Sequence, residues 1–386
     1  MLGTIGNYVG QALPPSTDLR SGLDPVLLGA ASALLLFGLV MVSSASIGTA
    51  ERLHGDALYF LWRQTLYILI ATGVGVLAAS RSLDWWQKMG PLLLLFGAAL
   101  LVLVLVESIG REINGARRWI RIGGFSLQPS ELIKLVTIVY LAGYLVRRSE
   151  EVKSVMRGFL KPVLLLSIIA ALLLAEPDYG TVVVLFIAAF GMLFLGGVPL
   201  TSYVVWIGIV GLALGLVAWT EPYRIERLII YLNPWAEPFG SGFQLTQALI
   251  AIGRGEWFGV GLGASVQKLF YLPEAHTDFL FAVIGEELGF AGMAIVIALF
   301  GAVIWRAFRI AANAARMGHA FGAHLAYGLG LLIGLQAFIN IGVNLGVLPT
   351  KGLALPFMSF GGNNLLVNCI AIGLLIRVHA ETRVAR

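Results

Sequence analysis

Only 12% of the 386 residues are charged, and several of these sit where chemistry would need them. Asp278 stands out. It lies in YLPEAHTDFLFAVIGEELGF, where a polar stretch meets a long apolar run. Thr277 is expected to cap the helix that follows, with Asp278 in its first turn. A carboxylate at such a boundary is partly desolvated, which raises its pKa and suits a general base. An ordinary helix-start aspartate has the same signature. Glu131 and Lys134, in QPSELIKLVTIVYLAGYL, follow Pro129, which fits a first helical turn. They are then three apart on one face, in the order that favours an ion pair. Such a pair either neutralises itself structurally or lines a polar cavity. Glu286 and Glu287 fall about 12 Å beyond Asp278 along a helix. A structural role is expected for them, protonated or paired across helices, beside the small-residue face of Gly285 and Gly289.

Positive charge gathers at 107–125 (ESIGREINGARRWIRIGGF), which holds Arg111, Arg117, Arg118 and Arg121. Arginine suits bidentate contact with phosphate. The other reading pairs these residues with Glu107, Glu112 or lipid headgroups. Gln336, Asn340 and Asn344, spaced by four, form a polar stripe that must face protein or water. Asn363, Asn364 and Asn368 add a second polar set, so a polar interior is expected between the last helices. The five histidines show no metal-ligand spacing. GVGLG at 259–263 follows no predicted strand and lacks the Lys-Ser/Thr of a phosphate loop.

The elements that must position these residues are set by hydropathy. Hydrophobic residues make up 58% of the chain, and the mean hydropathy is +0.88. Soluble domains carry roughly 25% charged residues, so a soluble globular protein is excluded. The lone cysteine, Cys369, rules out an internal disulfide framework. Apolar runs approach the ~20 residues that span a bilayer. Ten are marked: 25–46, 58–80, 89–106, 127–147, 160–176, 179–196, 201–219, 279–305, 323–347 and 358–377. The fifth and sixth meet at Glu176-Pro177-Asp178-Tyr179-Gly180, which predicts a tight helical hairpin. The fold class is therefore all-α, a polytopic membrane protein with ten transmembrane helices. A polar tail (1–24) precedes helices 1–7 (25–219), and a large outer loop (220–278) leads to helices 8–10 (279–377) and a short tail (378–386). A weak excess of Lys and Arg on the terminal side predicts that both termini are cytoplasmic. The positive balance is split over two membrane faces and does not point to nucleic acid.

Four segments carry a family resemblance: NGARRWIRIGGFSLQPSELIK (114–134), EPDYGT (176–181), SGFQLTQALIAIGRGEWFGVGLGASVQKLFYLPEAHTDFLFAVIGEELG (241–289) and GVLPTKGLALPFMSFGGNN (346–364). The chain resembles the SEDS family (shape, elongation, division and sporulation), over essentially all ten spans. GASVQKLFYLPEAHTDF is closer to its division branch than to its elongation branch. SFGGNN departs from the SYGGSS typical of the family.

The resemblance implies a peptidoglycan glycosyltransferase that polymerises lipid II, with the family's essential acidic residue at Asp278. The donor sugar is α-linked to a lipid pyrophosphate, and the acceptor is the 4-hydroxyl of a second lipid II. A β-1,4 product requires one inverting displacement, a general base near the hydroxyl, and positive charge at the departing pyrophosphate. Asp278 is the candidate base. Arg117, Arg118, Lys268 and Lys351 are outer-face candidates for the pyrophosphate. Glu131 and Lys134 would shape the cavity, and His276 and Ser359, from PEAHTDF and SFGGNN, complete the candidate substrate-binding set. A divalent cation, Mg or Mn, could share the charge, although no carboxylate cluster dictates one. The implied partners are lipid II, the nascent glycan, a class B penicillin-binding protein of FtsI type and other divisome membrane proteins. The implied location is the bacterial inner membrane at the division septum, with the active site on the extracytoplasmic face. Two other functions share the same features. A lipid II flippase would place its essential charges near the midplane. A pure scaffold would leave the polar cavity and the outer arginines unexplained.

Overall fold

The computed structural model describes residues 23–113, 115–152, 157–219, 222–269 and 271–384. Most of the expected N-terminal tail lies outside the described residues. Helices α1 (Pro25–His54), α2 (Tyr59–Ser80) and α3 (Leu83–Leu105) come first. Strands β1 (Gly110–Ile113), β2 (Ala116–Ile122) and β3 (Phe125–Leu127) follow. Next are α4 (Pro129–Arg147), the single turn α5 (Ser149–Val152), α6 (Arg157–Ala175), α7 (Tyr179–Leu195) and α8 (Leu200–Trp219). The expected outer loop contains α9 (Pro222–Leu232), a 3-10 turn at Pro234–Ala236 and α10 (Phe243–Gly255). The chain closes with α11 (Leu280–Arg316), α12 (Ala320–Asn344) and α13 (Gly362–Val384).

Among the described residues, eight helices are long and apolar enough to cross a membrane: α1 to α4, α8 and α11 to α13. Two shorter apolar helices, Phe159–Ala175 and Tyr179–Leu195, stand at the fifth and sixth expected positions. Local chemistry fixes the ends. The Asp24 carboxylate caps α1, accepting from Leu27 N at 3.0 Å. Asp178 caps α7, accepting from Thr181 N at 3.2 Å, which makes the predicted hairpin corner. The α13 helix runs to Val384, through most of what the hydropathy suggests as a tail.

The three-stranded antiparallel sheet is a departure from an all-α reading. Gly115 and Gly123 stand at its two turns with φ 73° and 60°, in the sequence dipeptides Asn-Gly and Gly-Gly. These are the dipeptides that favour tight hairpins. The register pairs Arg111 with Trp119, Glu112 with Arg117 across a bulge, and Arg121 with Ser126.

α4, α12 and α13 form the buried centre, whereas α8 buries only Ser202. Leu212, Leu216 and Trp219 of α8 are exposed, as expected of a surface solvated by lipid tails. α2 and α13 pack where a Cβ on Gly75 would lie 2.6 Å from Cys369 O and one on Gly373 would lie 2.1 Å from Gly75 O. Only glycine permits that approach.

α11 is broken at Gly289, where φ is 65°. The predicted small-residue face packs closely at both glycines: a Cβ on Gly285 would be 2.9 Å from Ile252 of α10, and one on Gly289 would be 2.4 Å from Gly259 N. The difference from the expectation is that Gly289 also interrupts the helix. The segment after α10 supplies the missing backbone partners. Val260 N and Gly261 N donate to the carbonyls of Glu286 and Glu287, and Phe290 N and Ala291 N donate to those of Glu256 and Trp257, all at 2.9–3.1 Å.

Candidate active site

The site assembles where the segment before α11 meets the segment between α12 and α13. The predicted Thr277 cap is not formed: α11 begins at Leu280, and Asp278 precedes it. The Thr277 hydroxyl instead donates to the Glu274 carboxylate at 2.7 Å. The Asn stripe of α12 holds the backbone here. The Asn340 and Asn344 amides donate to the Asp278 carbonyl at 2.9 and 3.0 Å, and Asn340 also reaches Leu353 O. Asn344 Oδ1 accepts from Ala282 N. The stripe is thus a clamp on the segment that carries Asp278. Ser359 closes the other side, its hydroxyl donating to Thr277 O and accepting from Leu355 N. His276 O accepts from Phe360 N at 3.0 Å.

This clamp leaves the Asp278 carboxylate itself half-buried and without a hydrogen bond or ion pair among the described residues. It rests against Gly352, where a Cβ would lie 2.8 Å from Oδ2. Burial, reinforced by the nearby Glu274 charge and opposed by Arg227, pushes its pKa up to about 7. A group poised there exchanges protons readily at neutral pH. Burial also lowers the His276 pKa, against the pull of Glu274.

Cations approach from one side. Lys351 sits with its ammonium 4.7 Å from the centre of the Tyr179 ring. Burial, with Arg227 in the same direction and Asp178 opposing, brings its pKa down to about 8. Arg227, on α9, donates to Thr350 O at 2.9 Å. Sequence reasoning missed it as a site residue, although it lies on the outer basic segment. Arg118 projects from β2 onto the α6–α7 corner, donating to Glu176 O at 2.9 Å and also to Pro177 O. Both carboxyl oxygens of Glu176 are buried without a partner. Burial and Asp178 push that acid up to about 8, against Arg118, so it is mostly neutral at pH 7.

The remaining sequence candidates fall elsewhere. Arg117 faces Glu107 and Glu112 at 3.5 and 3.9 Å, the carboxylate pairing that stood as the other reading. Lys268 is committed internally, donating to Glu287, Ser44 and Gly263 O at 2.7–2.9 Å. Glu131 and Lys134 form the expected ion pair at 2.7 Å. Lys134 is fully buried, yet Glu131 Oε2 has no partner. The network is therefore incomplete and retains hydrogen-bonding capacity. No group of three or more His, Cys, Asp or Glu that could hold a metal ion occurs among the described residues.

These features define a multi-pass helical membrane protein with an unpartnered carboxylate near Arg227 and the segment that carries Lys351. The family model for FtsW, RodA and SpoVE, described as "Cell cycle protein", matches residues 25–384. The chain belongs to this family, the SEDS family that its motifs resemble. It is 56% identical over 93% of both chains to the "Probable peptidoglycan glycosyltransferase FtsW" of Nitrosococcus halophilus. It is 54% identical to the protein of the same name from Thioalkalivibrio sulfidiphilus, over 94% of this chain and 91% of that one. Among solved structures, it matches a chain described under "Structural coordination of polymerization and crosslinking by a peptidoglycan synthase complex". That match has a TM-score of 0.76 and 30% identity, and covers 93% of this chain and 98% of the other. The rod shape determining protein RodA of Thermus thermophilus matches with a TM-score of 0.67 and 28% identity, over 92% and 96%.

Proposed function

We propose that this chain is a peptidoglycan glycosyltransferase of the division branch, joining lipid II disaccharides by inverting β-1,4 bond formation. The observation that carries the reading is the unpartnered Asp278 carboxylate, poised near pH 7 beside Arg227 and Lys351. The acceptor 4-hydroxyl oxygen attacks C1 of the donor sugar from the face opposite the leaving group. Its proton passes to Asp278. The bond from C1 to the pyrophosphate oxygen breaks, and undecaprenyl pyrophosphate departs with its charge held by Lys351, Arg227 and Arg118. One base suffices, because pyrophosphate leaves without protonation. Ser359 and the Asn340–Asn344 pair keep the base in place. Glu131 and Lys134 complete their hydrogen bonds with substrate, and His276 lines the acceptor side. Arg117 and Lys268 support the walls through their own ion pairs.

The proposed topology has ten spans, with α6 and α7 as the fifth and sixth, and both termini cytoplasmic. The 220–278 stretch and Asp278 then lie on the outer face of the bacterial inner membrane, at the septum. The whole is one integral domain. A class B penicillin-binding protein of FtsI type, with other divisome proteins, is the proposed partner set. The similarity to a chain from a peptidoglycan synthase complex supports this.

The test is polymerisation of purified lipid II by the protein reconstituted with its cognate transpeptidase. Wild type is expected to give glycan chains, and Asp278→Ala none. Equal product from both would remove Asp278 from the mechanism. No product from an intact wild-type complex, with lipid II translocation instead, would establish the flippase reading.

A further inference from the structure

We propose that the aromatic cluster beside Asp278 is the subsite for the acceptor sugar, an N-acetylhexosamine ring; this rests on the glycosyltransferase reading above. The cluster joins three elements: Phe60 and Tyr67 on α2, His276 before α11, and Phe360 before α13. The Phe60 ring centre lies 4.7 Å from that of His276 and 4.9 Å from that of Phe360, and Phe360 is 5.7 Å from His276. Tyr67 is 5.9 Å from Phe360. Phe60 is buried, whereas His276 and Phe360 are only half-buried, so part of each ring stays uncovered. The uncovered part of these rings is apolar surface on which a ligand ring can stack.

The cluster is tied to the base by backbone. His276 is two residues from Asp278, so their Cα atoms lie within about 7 Å. The Phe360 N–H bond to His276 O holds the two rings in register. Burial keeps the imidazole neutral, so it offers a ring rather than a charge. A hexosamine presents a face of polarised C–H bonds, which complements the negative π-face of an aromatic ring. It also needs a polar contact. Gln64, one turn beyond Phe60, donates to Ser359 O at 3.3 Å, and its Oε1 is buried without a partner. That leftover acceptor suits a sugar hydroxyl or an acetamido N–H.

The two sides of Asp278 differ in charge. Lys351, Arg227 and Arg118 gather toward the 350–353 segment and the α6–α7 corner. On the aromatic side, the nearby cation is Arg63. It is engaged with Tyr59 and Gly124 O, and lies 5.4 and 5.9 Å from the Tyr59 and Tyr67 ring centres. A donor must discharge pyrophosphate, so it belongs on the cationic side. The neutral end of the acceptor, the sugar bearing the attacking hydroxyl, belongs on the rings.

The test is saturation-transfer NMR on the detergent-solubilised full chain, with the soluble disaccharide GlcNAc-β-1,4-MurNAc as probe. Transfer to the C–H face of the GlcNAc ring is expected in wild type, in Asp278→Asn and in Phe360→Tyr. Phe360→Leu is expected to weaken it roughly fivefold, the scale of one lost ring stack. Should Phe360→Leu fail to fold, His276→Leu against His276→Phe makes the same comparison. No transfer in wild type, uniform transfer over both sugars, or equal transfer in the leucine variants would overturn the subsite. Failure of the polymerase reading is separate: it would show as no glycan from an intact complex, with the disaccharide signals unchanged.

Discussion

The two ends of one ten-residue stretch, DFLFAVIGEE, treat their carboxylates in opposite ways. At its start, Asp278 has its backbone carbonyl clamped by two asparagines and its side chain left without a partner. At its end, Glu286 and Glu287 are fully buried and saturated. Glu286 accepts from Arg254, Ser265 and the backbone of Val266 and Gln267. Glu287 accepts from Ser44 and Lys268. A carboxylate whose oxygens are all occupied binds the fold together and cannot take a substrate proton. A carboxylate held by its backbone alone can.

Breaking this contrast gives the largest expected effects. Asp278→Asn should lower polymerisation by about 10²–10⁴-fold, the usual contribution of a general base. The same variant should not weaken the fold. An acid whose folded pKa is raised costs stability as pH climbs from its unfolded value towards about 7. The amide escapes that cost, so its unfolding midpoint should exceed wild type at pH 8 and approach it at pH 4. A lower midpoint at pH 8 would mean that Asp278 is structural. Glu287→Ala should do the reverse. It strands Lys268 in the interior and should destabilise by about 3–5 kcal/mol, read as a lower midpoint in thermal unfolding, with activity lost only in step with folded protein. A well-folded but inactive Glu287→Ala would undo the contrast.

The pH profile sharpens it. Activity should fall about tenfold per unit below the Asp278 pKa of about 7, as the base becomes protonated. It should fall again above about 8, as Lys351 loses its charge. Lys351→Arg should extend the alkaline limb, because a guanidinium stays protonated. An unchanged limb would assign it to another group. The smallest effect belongs to Glu176. Already mostly neutral at pH 7, it should tolerate Glu176→Gln with less than about a twofold change in rate, whereas a large loss would mean that its ionised form is used.

The apolar helices were legible because bilayer thickness dictates their length, and the α6–α7 corner because Pro and Gly mark it. The sheet was legible in principle from Asn114-Gly115 and Gly123-Gly124, but the four arginines among them leave no clean apolar strand pattern. Asp278 could be singled out by position, yet the role proposed for it rests on the family resemblance, since an ordinary helix-start aspartate looks the same. What could not be read was long-range. Nothing near Lys268 in the chain tells that Ser44 and Glu287 will consume its donors. Nothing near Arg227 tells that α9 will bring it to Thr350.

The break at Gly289 has a consequence for how the protein is made. Val260 and Gly261 depend on carbonyls of α11, and Phe290 and Ala291 on carbonyls just after α10. A backbone N–H left without a partner away from water costs about 1–3 kcal/mol. α10 leaves the ribosome first but cannot settle alone, and α11 cannot settle without it. The two segments must settle as one unit, so this part of the fold forms by a pair of elements rather than by single helices in turn.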